Sequence, residues 1–190
     1  MLCDFLAEYG TPIAENAAET YYNGGKEAVE ERIDGLKESE AKHSTKYDNI
    51  NIDDLAANNP TELKNVISDI RQTGGSPIEI PAEADTTALA KTMNKGYQQI
   101  KYRWTEGVYN FEARWHTETP GAMKYERGTT WVVTRTIPGT PKGQERVTEY
   151  LVGDTWIHED IWKAAERANI AGTATQEQMD MLEAGHWLAK

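Results

Sequence analysis

Three runs of alternating residues between positions 98 and 136 restrict the fold of this chain more than any other feature. Residues 98–105, 108–117 and 129–136 are dominated by aromatic and β-branched residues, which favour a half-buried pleated surface. The alternation in 109–116 has the period of two that places successive side chains on opposite faces of a strand. These runs predict three β-strands, the first two joined in a hairpin through Glu106 and Gly107.

The segments around these strands complete an α+β pattern. Asn59 can cap a helix and Pro60 fits its first position, while Gly74 fits its end. The predicted fold is an acidic helical N-terminal part followed by a four-stranded antiparallel sheet with short C-terminal helices. The further elements that spacing and turn residues predict are helices in 2–42, a short helix at 85–93, a fourth strand at 144–152, a helix at 159–168 and a last helix at 175–185.

Charge divides the chain into two parts. The formal net charge is -11, but residues 1–90 hold 7 Lys and Arg against 18 Asp and Glu, whereas residues 91–190 hold 13 of each. All six Trp also lie in the second part. Such a step in composition predicts a domain boundary, with an acidic helical stalk or linker in 1–90 and an α+β domain in 91–190.

Several classes of protein are excluded by what the sequence lacks. The single Cys3 excludes an intrachain disulfide and a cysteine-rich zinc site. No apolar run is long enough for a transmembrane helix, and the N-terminus has no conventional signal peptide. The common nucleotide-binding and hydrolase motifs are missing as well. No metal or other cofactor is therefore expected.

The polar face of the second strand carries the residue types that metal-free phosphodiester cleavage needs. A base takes the proton of the 2′-hydroxyl, an acid protonates the leaving oxygen and a cation stabilises the phosphorane. Glu112, Arg114 and His116 can divide these roles, and we expect their side chains to be exposed on that face, although Glu112 and His116 stand about 13 Å apart along an ideal strand. The alternative is the solvated face of an ordinary sheet. The residues expected to bind substrate around this catalytic row are Arg103, Arg135, Tyr109 and Thr134.

The second part of the chain also resembles a known group of proteins. The stretches KYRWTEG (101–107), YNFEARWHT (109–117), TPGA (119–122) and GTTWVVTR (128–135) resemble the C-terminal toxin tips of bacterial polymorphic toxins. The ending, GTATQEQ (172–178) through AGHW (184–187), is similar to the way those chains terminate. Many such tips are ribonucleases of the group that includes barnase, EndoU-like enzymes and ribonuclease colicins. The acidic first part is similar to the stalk of LXG-like effectors exported by type VII machinery.

The resemblance implies an antibacterial secreted effector that cleaves RNA in the target-cell cytoplasm, through a 2′,3′-cyclic phosphate and without a metal. It also implies an RNA substrate, a cognate immunity protein, and a delivery module or secretion machinery that exports the chain without a conventional signal peptide. One alternative is a non-enzymatic acidic binding protein, such as an immunity protein or a phage-encoded inhibitor. Another is a metal-dependent DNase tip that uses the acidic cluster at 154–160.

Overall fold

The computed structural model of the chain describes residues 45–91, 96–120 and 128–190. Residues 45–190 form one compact unit, and the first 44 residues are assigned to a separate one. The helices expected in 2–42 lie outside the described residues. The described elements are α1 (Ile52–Asn58), α2 (Pro60–Thr73), β1 (Asp85–Lys91), β2 (Tyr97–Glu106), β3 (Tyr109–His116), β4 (Thr130–Ile137), β5 (Val147–Val152), β6 (Thr155–His158), α3 (Glu159–Ile170), α4 (Gln176–Ala184) and β7 (Trp187–Leu188).

The strands form an antiparallel meander. Strands β1 to β6 follow one another across the sheet in chain order, and β7 pairs with the part of β4 that β5 leaves free. Glu106 is the Cα partner of Tyr109, so the predicted β2–β3 hairpin is present and its turn consists of Gly107 and Val108. Gly107 has a φ of 59°, which glycine adopts without the steric cost that other residues meet.

Helix α2 begins and ends as the sequence predicts, and it packs against one face of the sheet. The Asn59 side chain accepts a hydrogen bond from the Glu62 backbone, and Pro60 is the first helical residue. Two buried side chains of the sheet bind the helix: Tyr102 Oη donates to the Ile67 carbonyl over 2.7 Å, and Trp131 Nε1 donates to the Gly74 carbonyl over 2.7 Å. These bonds satisfy both buried polar atoms and fix the helix on the sheet.

The main hydrophobic core lies between this face and the two N-terminal helices of the unit. Residues 52–70 supply its helical side, and alternate residues of β2, β3 and β4 supply its sheet side. The fully buried members are hydrophobic and most are large, and those on β3 are the ones that the alternation in the sequence predicts. They include Ile52, Ile70, Ile100, Tyr102, Ala113, Trp115, Trp131 and Val133.

Helices α3 and α4 pack on the opposite face, at its β5 end. The predicted capping box at the start of α4 is confirmed, because Thr175 and Gln178 each bind the other's backbone amide. Trp162, Ala165 and Leu182 form a second small core against Tyr150 and Val152 of β5. Most of the other side chains on this face are polar, although Val132 and Leu89 also belong to it. We call the face of the sheet that carries α3 and α4 at one end the open face. Its side chains include those of Lys101, Arg103, Glu112, Arg114, Thr134, Thr136, Thr148 and Tyr150.

The α+β class and the antiparallel sheet are confirmed, but the strand count is wrong. The described residues hold seven strands rather than four, and the helix expected at 85–93 is instead strand β1. Asp85 resembles a helix cap and Ala88 has no strand preference, so only the partner strand β2 reveals the extended conformation. The compact unit that contains the sheet spans residues 45–190. The expected boundary at residue 91 stays a prediction.

Candidate phosphodiester-binding site on the open face

The structure brings four of the expected site residues together. Glu112 and Arg114 lie on the same face of β3, two residues apart, as the alternation predicts. Arg103 of β2 and Thr134 of β4 are the Cα partners of Glu112 on its two sides. Because side chains of paired residues share a face, these four groups meet on the open face.

Two of the expected substrate-binding residues lie on the other face. Arg135 Nε donates to Oε2 of Glu149 over 2.6 Å, so its charge is already paired. Its guanidinium also lies 4.4 Å from the ring centre of Tyr109 and 4.3 Å from that of Trp156. Arg135 and Tyr109 therefore belong to an aromatic cluster on the helix-covered face and do not reach the site.

His116 lies on the open face in register but is not exposed. Its side chain is 5% exposed, so the expectation of a solvent-facing imidazole is wrong. Nδ1 lies 3.0 Å from the Thr117 carbonyl, and Nε2 lies 3.0 Å from Oγ1 of Thr130. A carbonyl only accepts, so Nδ1 carries the proton and Nε2 accepts from the hydroxyl. Both ring nitrogens are thus engaged at the end of β3, away from the cavity described next.

A cavity of about 620 Å³ opens on this face. This volume falls within the range of about 300–1,000 Å³ that is typical of ligand sites. Its floor is formed by strands β2 to β5, and the loop after β4 and the first residue of α3 form part of its rim. The charged and hydroxyl-bearing residues that line it are Asp85, Arg103, Thr105, Glu112, Arg114, Thr134, Thr136, Arg146, Thr148, Tyr150 and Glu159.

Glu112 is held by two cations. Lys101 Nζ lies 3.1 Å from Oε1, and Arg103 Nε donates to Oε2 over 2.8 Å. Partial burial of the carboxyl group raises the pKa of Glu112, but the hydrogen bonds from Arg103 and Lys101 outweigh burial and leave the pKa below its ordinary value. The side chain is therefore a carboxylate at neutral pH.

Arg114 differs from the other cations near Glu112. Its side chain is half-buried, its Nε is buried without a hydrogen-bond partner, and it forms no ion pair with any residue the structure describes. Burial raises the pKa of Tyr150 and lowers that of His186, and in both cases the charge of Arg114 makes a smaller, lowering contribution, so the guanidinium is close enough to interact electrostatically with both rings. A partly desolvated cation without a counter-charge is costly to the fold, and an anionic ligand would compensate for it.

Tyr150 lines the cavity but is not among the residues that the sequence singles out. Its ring stacks on Trp162 with centroids 4.7 Å apart, and its Cα partner on β4 is Thr134. Burial of the phenol raises the pKa of Tyr150, and the Glu166 carboxylate raises it further, so the hydroxyl is protonated at neutral pH. The alternation of residues 144–152 contained this signal, but the register between β4 and β5 was needed to place Tyr150 beside Thr134.

The remaining histidines have structural partners. The Nδ1 atom of His158 accepts a hydrogen bond from the Asp160 backbone at the start of α3. His186 is 8% exposed, its Nδ1 lies 2.7 Å from the Leu182 carbonyl, and burial lowers its pKa to about 4. Within the described ranges, no group of three or more His, Cys, Asp or Glu could hold a metal ion.

Comparison with known proteins gives no further guide. No protein-family model, no curated protein and no solved structure matches this chain. Among the described helices, none is both long and apolar enough to span a bilayer.

Proposed function

We propose that the open face binds an RNA phosphodiester and that the chain is an endoribonuclease which works without a metal. The observation that carries this proposal is the half-buried Arg114 in the wall of an open cavity, whose Nε has no hydrogen-bond partner and which forms no ion pair with the residues that the structure describes. A planar guanidinium can bind two oxygens of one phosphate, which supplies the missing counter-charge. Cation, carboxylate and phenol then surround a single position above Thr134.

The strand register supports an in-line reaction at that position. Glu112 and Tyr150 are the two Cα partners of Thr134, on opposite sides of β4. Neighbouring strands are about 4.8 Å apart, so the two residues start about 10 Å from each other. A phosphate seated above Thr134 therefore has a proton acceptor on one side and a proton donor on the other, as displacement at phosphorus requires.

The proposed reaction balances with these groups alone. Glu112 accepts the proton of the 2′-hydroxyl while O2′ attacks phosphorus, and the bond from phosphorus to O5′ breaks. Tyr150 donates its proton to O5′, which leaves as a hydroxyl, and the product is a 2′,3′-cyclic phosphate. Arg114 stabilises the charge that gathers on the non-bridging oxygens. Water then returns a proton to Tyr150 and removes one from Glu112.

Glu112 in the free protein is a weak base, because Lys101 and Arg103 hold its carboxylate. A bound phosphate attracts the same two cations. As they turn towards the phosphate, their hold on the carboxylate weakens and its burial raises the pKa of Glu112. We propose that substrate binding thereby makes Glu112 a stronger base at the moment when it is needed.

A second candidate is a protein that binds the phosphate chain without cutting it. Both oxygens of Glu112 are engaged by cations, and His116 does not line the cavity. If the two cations keep their hold on the carboxylate after RNA binds, the site has no free base. Like the acidic binding protein considered from the sequence, such a protein would bind a partner without catalysing a reaction.

Cleavage of defined RNA oligonucleotides by the purified chain, in excess chelator, separates these candidates. The endoribonuclease proposal predicts fragments that end in a cyclic phosphate, and it predicts a rate about 10²–10⁴-fold lower for both Glu112→Gln and Tyr150→Phe. Arg167→Gln is the matched control, because this exposed Arg lies in the last turn of α3 and does not line the cavity. Binding of RNA without fragments leaves the second candidate.

The biological setting is also a proposal. Expression of the intact chain in a bacterium, without a neighbouring protective gene, should stop growth and degrade RNA if the chain is an antibacterial effector. The Tyr150→Phe variant should be tolerated. Normal growth with soluble wild-type protein present would argue against the effector role, whatever the purified protein does to RNA.

A further inference from the structure

The open face continues beyond Thr134 as a row of neutral hydrogen-bonding groups. Two residues further along β4, Thr136 pairs with Asn110 of β3 and with Thr148 of β5. Oγ1 of Thr136 lies 3.1 Å from Oγ1 of Thr148, and Oγ1 of Thr105 donates to Oδ1 of Asn110 over 2.9 Å. This second row lies about 6.6 Å from the first, since a strand rises about 3.3 Å per residue.

Arg146 stands at the far end of this row. It is exposed, it lines the same cavity, and it immediately precedes Val147, the Cα partner of Ile137. In the part of the chain that the structure describes, it forms no ion pair. The hydrogen bond from Lys163 and, to a smaller extent, the charge of Arg146 hold the pKa of the nearby Glu159 below its ordinary value. That carboxylate is paired with Lys163, so a positive charge remains at this end of the cavity.

The backbone before Arg146 is fixed by its own hydrogen bonds. In the loop that follows β4, the Thr140 amide donates to the Gln144 carbonyl over 3.0 Å, and the Gly143 amide donates to the Thr140 carbonyl over 3.1 Å. Gly139 packs so closely against this loop that a Cβ there would lie 3.2 Å from the Arg146 nitrogen. The closed loop thus sets the backbone from which Arg146 projects into the cavity.

We propose that Arg146 forms a second phosphate subsite, so that the site takes two successive phosphates of a single-stranded polynucleotide; this rests on the proposed function for the first phosphate. Arg114 lies opposite Val132, one row before Thr134, and Arg146 lies one row beyond Thr136. Each guanidinium therefore reaches one row inwards, to phosphates above Thr134 and Thr136. The polynucleotide lies along β4, with the threonine hydroxyls and the Asn110 amide beneath it.

The cavity selects a single strand rather than a duplex. The two proposed phosphate positions form one row, and the two arginines stand at its two ends. A cavity of about 620 Å³ holds a few nucleotide units, whereas a duplex would have to present two backbones. Most of the affinity should come from neutralised phosphates and should therefore depend on salt.

Binding of uncleavable probes tests this subsite independently of cleavage. The probes are a 2′-O-methyl dinucleotide with one phosphate and a 2′-O-methyl trinucleotide with two, each titrated against the full chain at several salt concentrations. Wild type should bind the two-phosphate probe at least tenfold more tightly. Arg146→Gln should remove most of that difference and lower the salt slope for the two-phosphate probe by about 0.7, while affinity for the one-phosphate probe stays within twofold.

Two further variants and a duplex probe complete the test. Arg146→Lys should retain part of the effect, and Arg167→Gln should change neither affinity. Equal loss for both probes, no loss for either, no binding of either by wild type, or equally tight binding of a duplex of the same sequence would each overturn the proposal. If the subsite behaves as predicted but RNA is not cut, the subsite stands and the endoribonuclease proposal fails. If RNA is cut but Arg146→Gln changes the affinity for neither probe, the endoribonuclease proposal stands and the subsite proposal fails.

Discussion

Nε of Arg103 donates a hydrogen bond to Oε2 of Glu112 over 2.8 Å, between direct Cα partners of the β2–β3 hairpin. The bond joins a residue expected to bind substrate to one expected to act as a base. It also explains why the pKa of Glu112 lies below its ordinary value although the carboxyl group is partly buried. The acid–base behaviour of the site therefore depends on a neighbouring strand.

The first prediction concerns the pH dependence of cleavage. With Arg103 in place, the pKa of Glu112 is depressed, so the carboxylate is lost only when the pH falls below its ordinary value of 4.5. Arg103→Gln removes the charged hydrogen-bond donor that opposes the effect of burial, so the pKa of Glu112 rises. The acid limb of kcat/KM should therefore move to higher pH. An acid limb at the same pH in wild type and Arg103→Gln, with Arg167→Gln as control, would show that Glu112 is not the base.

The second prediction concerns His116, which is buried and bonded through both ring nitrogens. His116→Ala should lower the free energy of unfolding by about 1–3 kcal/mol, because Thr130 loses its partner in a buried place. The cleavage rate per folded molecule should stay within about twofold, since the imidazole does not line the cavity. Urea unfolding and cleavage assays on the same samples check both parts.

Thr130→Val removes the same hydrogen bond from its other side, and its effect on stability should not add fully to that of His116→Ala. A fall of about 10²–10⁴ in rate for a folded His116→Ala protein would instead give His116 the acid–base role that the sequence suggested.

The third prediction concerns His186 and acid stability. Burial, opposed by a hydrogen bond to the Leu182 carbonyl and aided by the charge of Arg114, lowers its pKa from 6.5 to about 4. Between these values the unfolded chain binds a proton that the folded chain does not, so stability falls as the pH falls. The pKa values differ by about 2.5, which corresponds to ~3 kcal/mol.

His186→Asn keeps a donor near the Leu182 carbonyl but does not titrate in this range. Denaturant unfolding at pH 7 and at pH 4.5 should show a smaller loss for this variant than for wild type. His158→Asn is the control, because that histidine caps the start of α3 at the surface and Asn also caps helices. The same slope in wild type and His186→Asn would contradict the prediction.

The fourth prediction concerns the boundary of the folded unit. A fragment of residues 45–190 should fold, whereas residues 91–190 alone should not. The shorter fragment lacks α1 and α2, so it exposes the apolar face that Ile70 buries and removes the carbonyl of Gly74 that accepts from Trp131. Near-ultraviolet circular dichroism and cooperative unfolding of the two fragments decide the question. A cooperatively folded 91–190 fragment would restore the boundary that charge alone suggested.

The local patterns explain what could be predicted from the sequence. The alternation of 109–116 is a property of one strand, and it placed Glu112 and Arg114 on a polar face without any knowledge of neighbours. The caps of α2 and α4 are similarly local, since each consists of residues within one turn. The α+β class followed from these elements and from their order along the chain.

The missing parts all depend on pairing between distant residues. Strand β1 is extended because β2 binds it, which Asp85 and Ala88 do not reveal. Arg103 and Arg135 belong to different faces because the register of each pair fixes the parity, and a shift by one residue reverses it. Tyr150 reaches the site only through the β4–β5 register, which is set across the long loop that follows β4.

The Arg114→Gln variant is the sharpest test of the proposed site, with RNA cleavage and thermal unfolding measured on the same sample. We predict that cleavage falls about 10²–10³-fold, because the charge on the reacting phosphate loses its cation. The melting temperature should stay the same or rise, because a half-buried cation without an ion-pair partner among the described residues is removed. Arg167→Gln should change neither quantity. Cleavage by a folded Arg114→Gln protein at the wild-type rate would show that Arg114 is not the cation that binds the reacting phosphate.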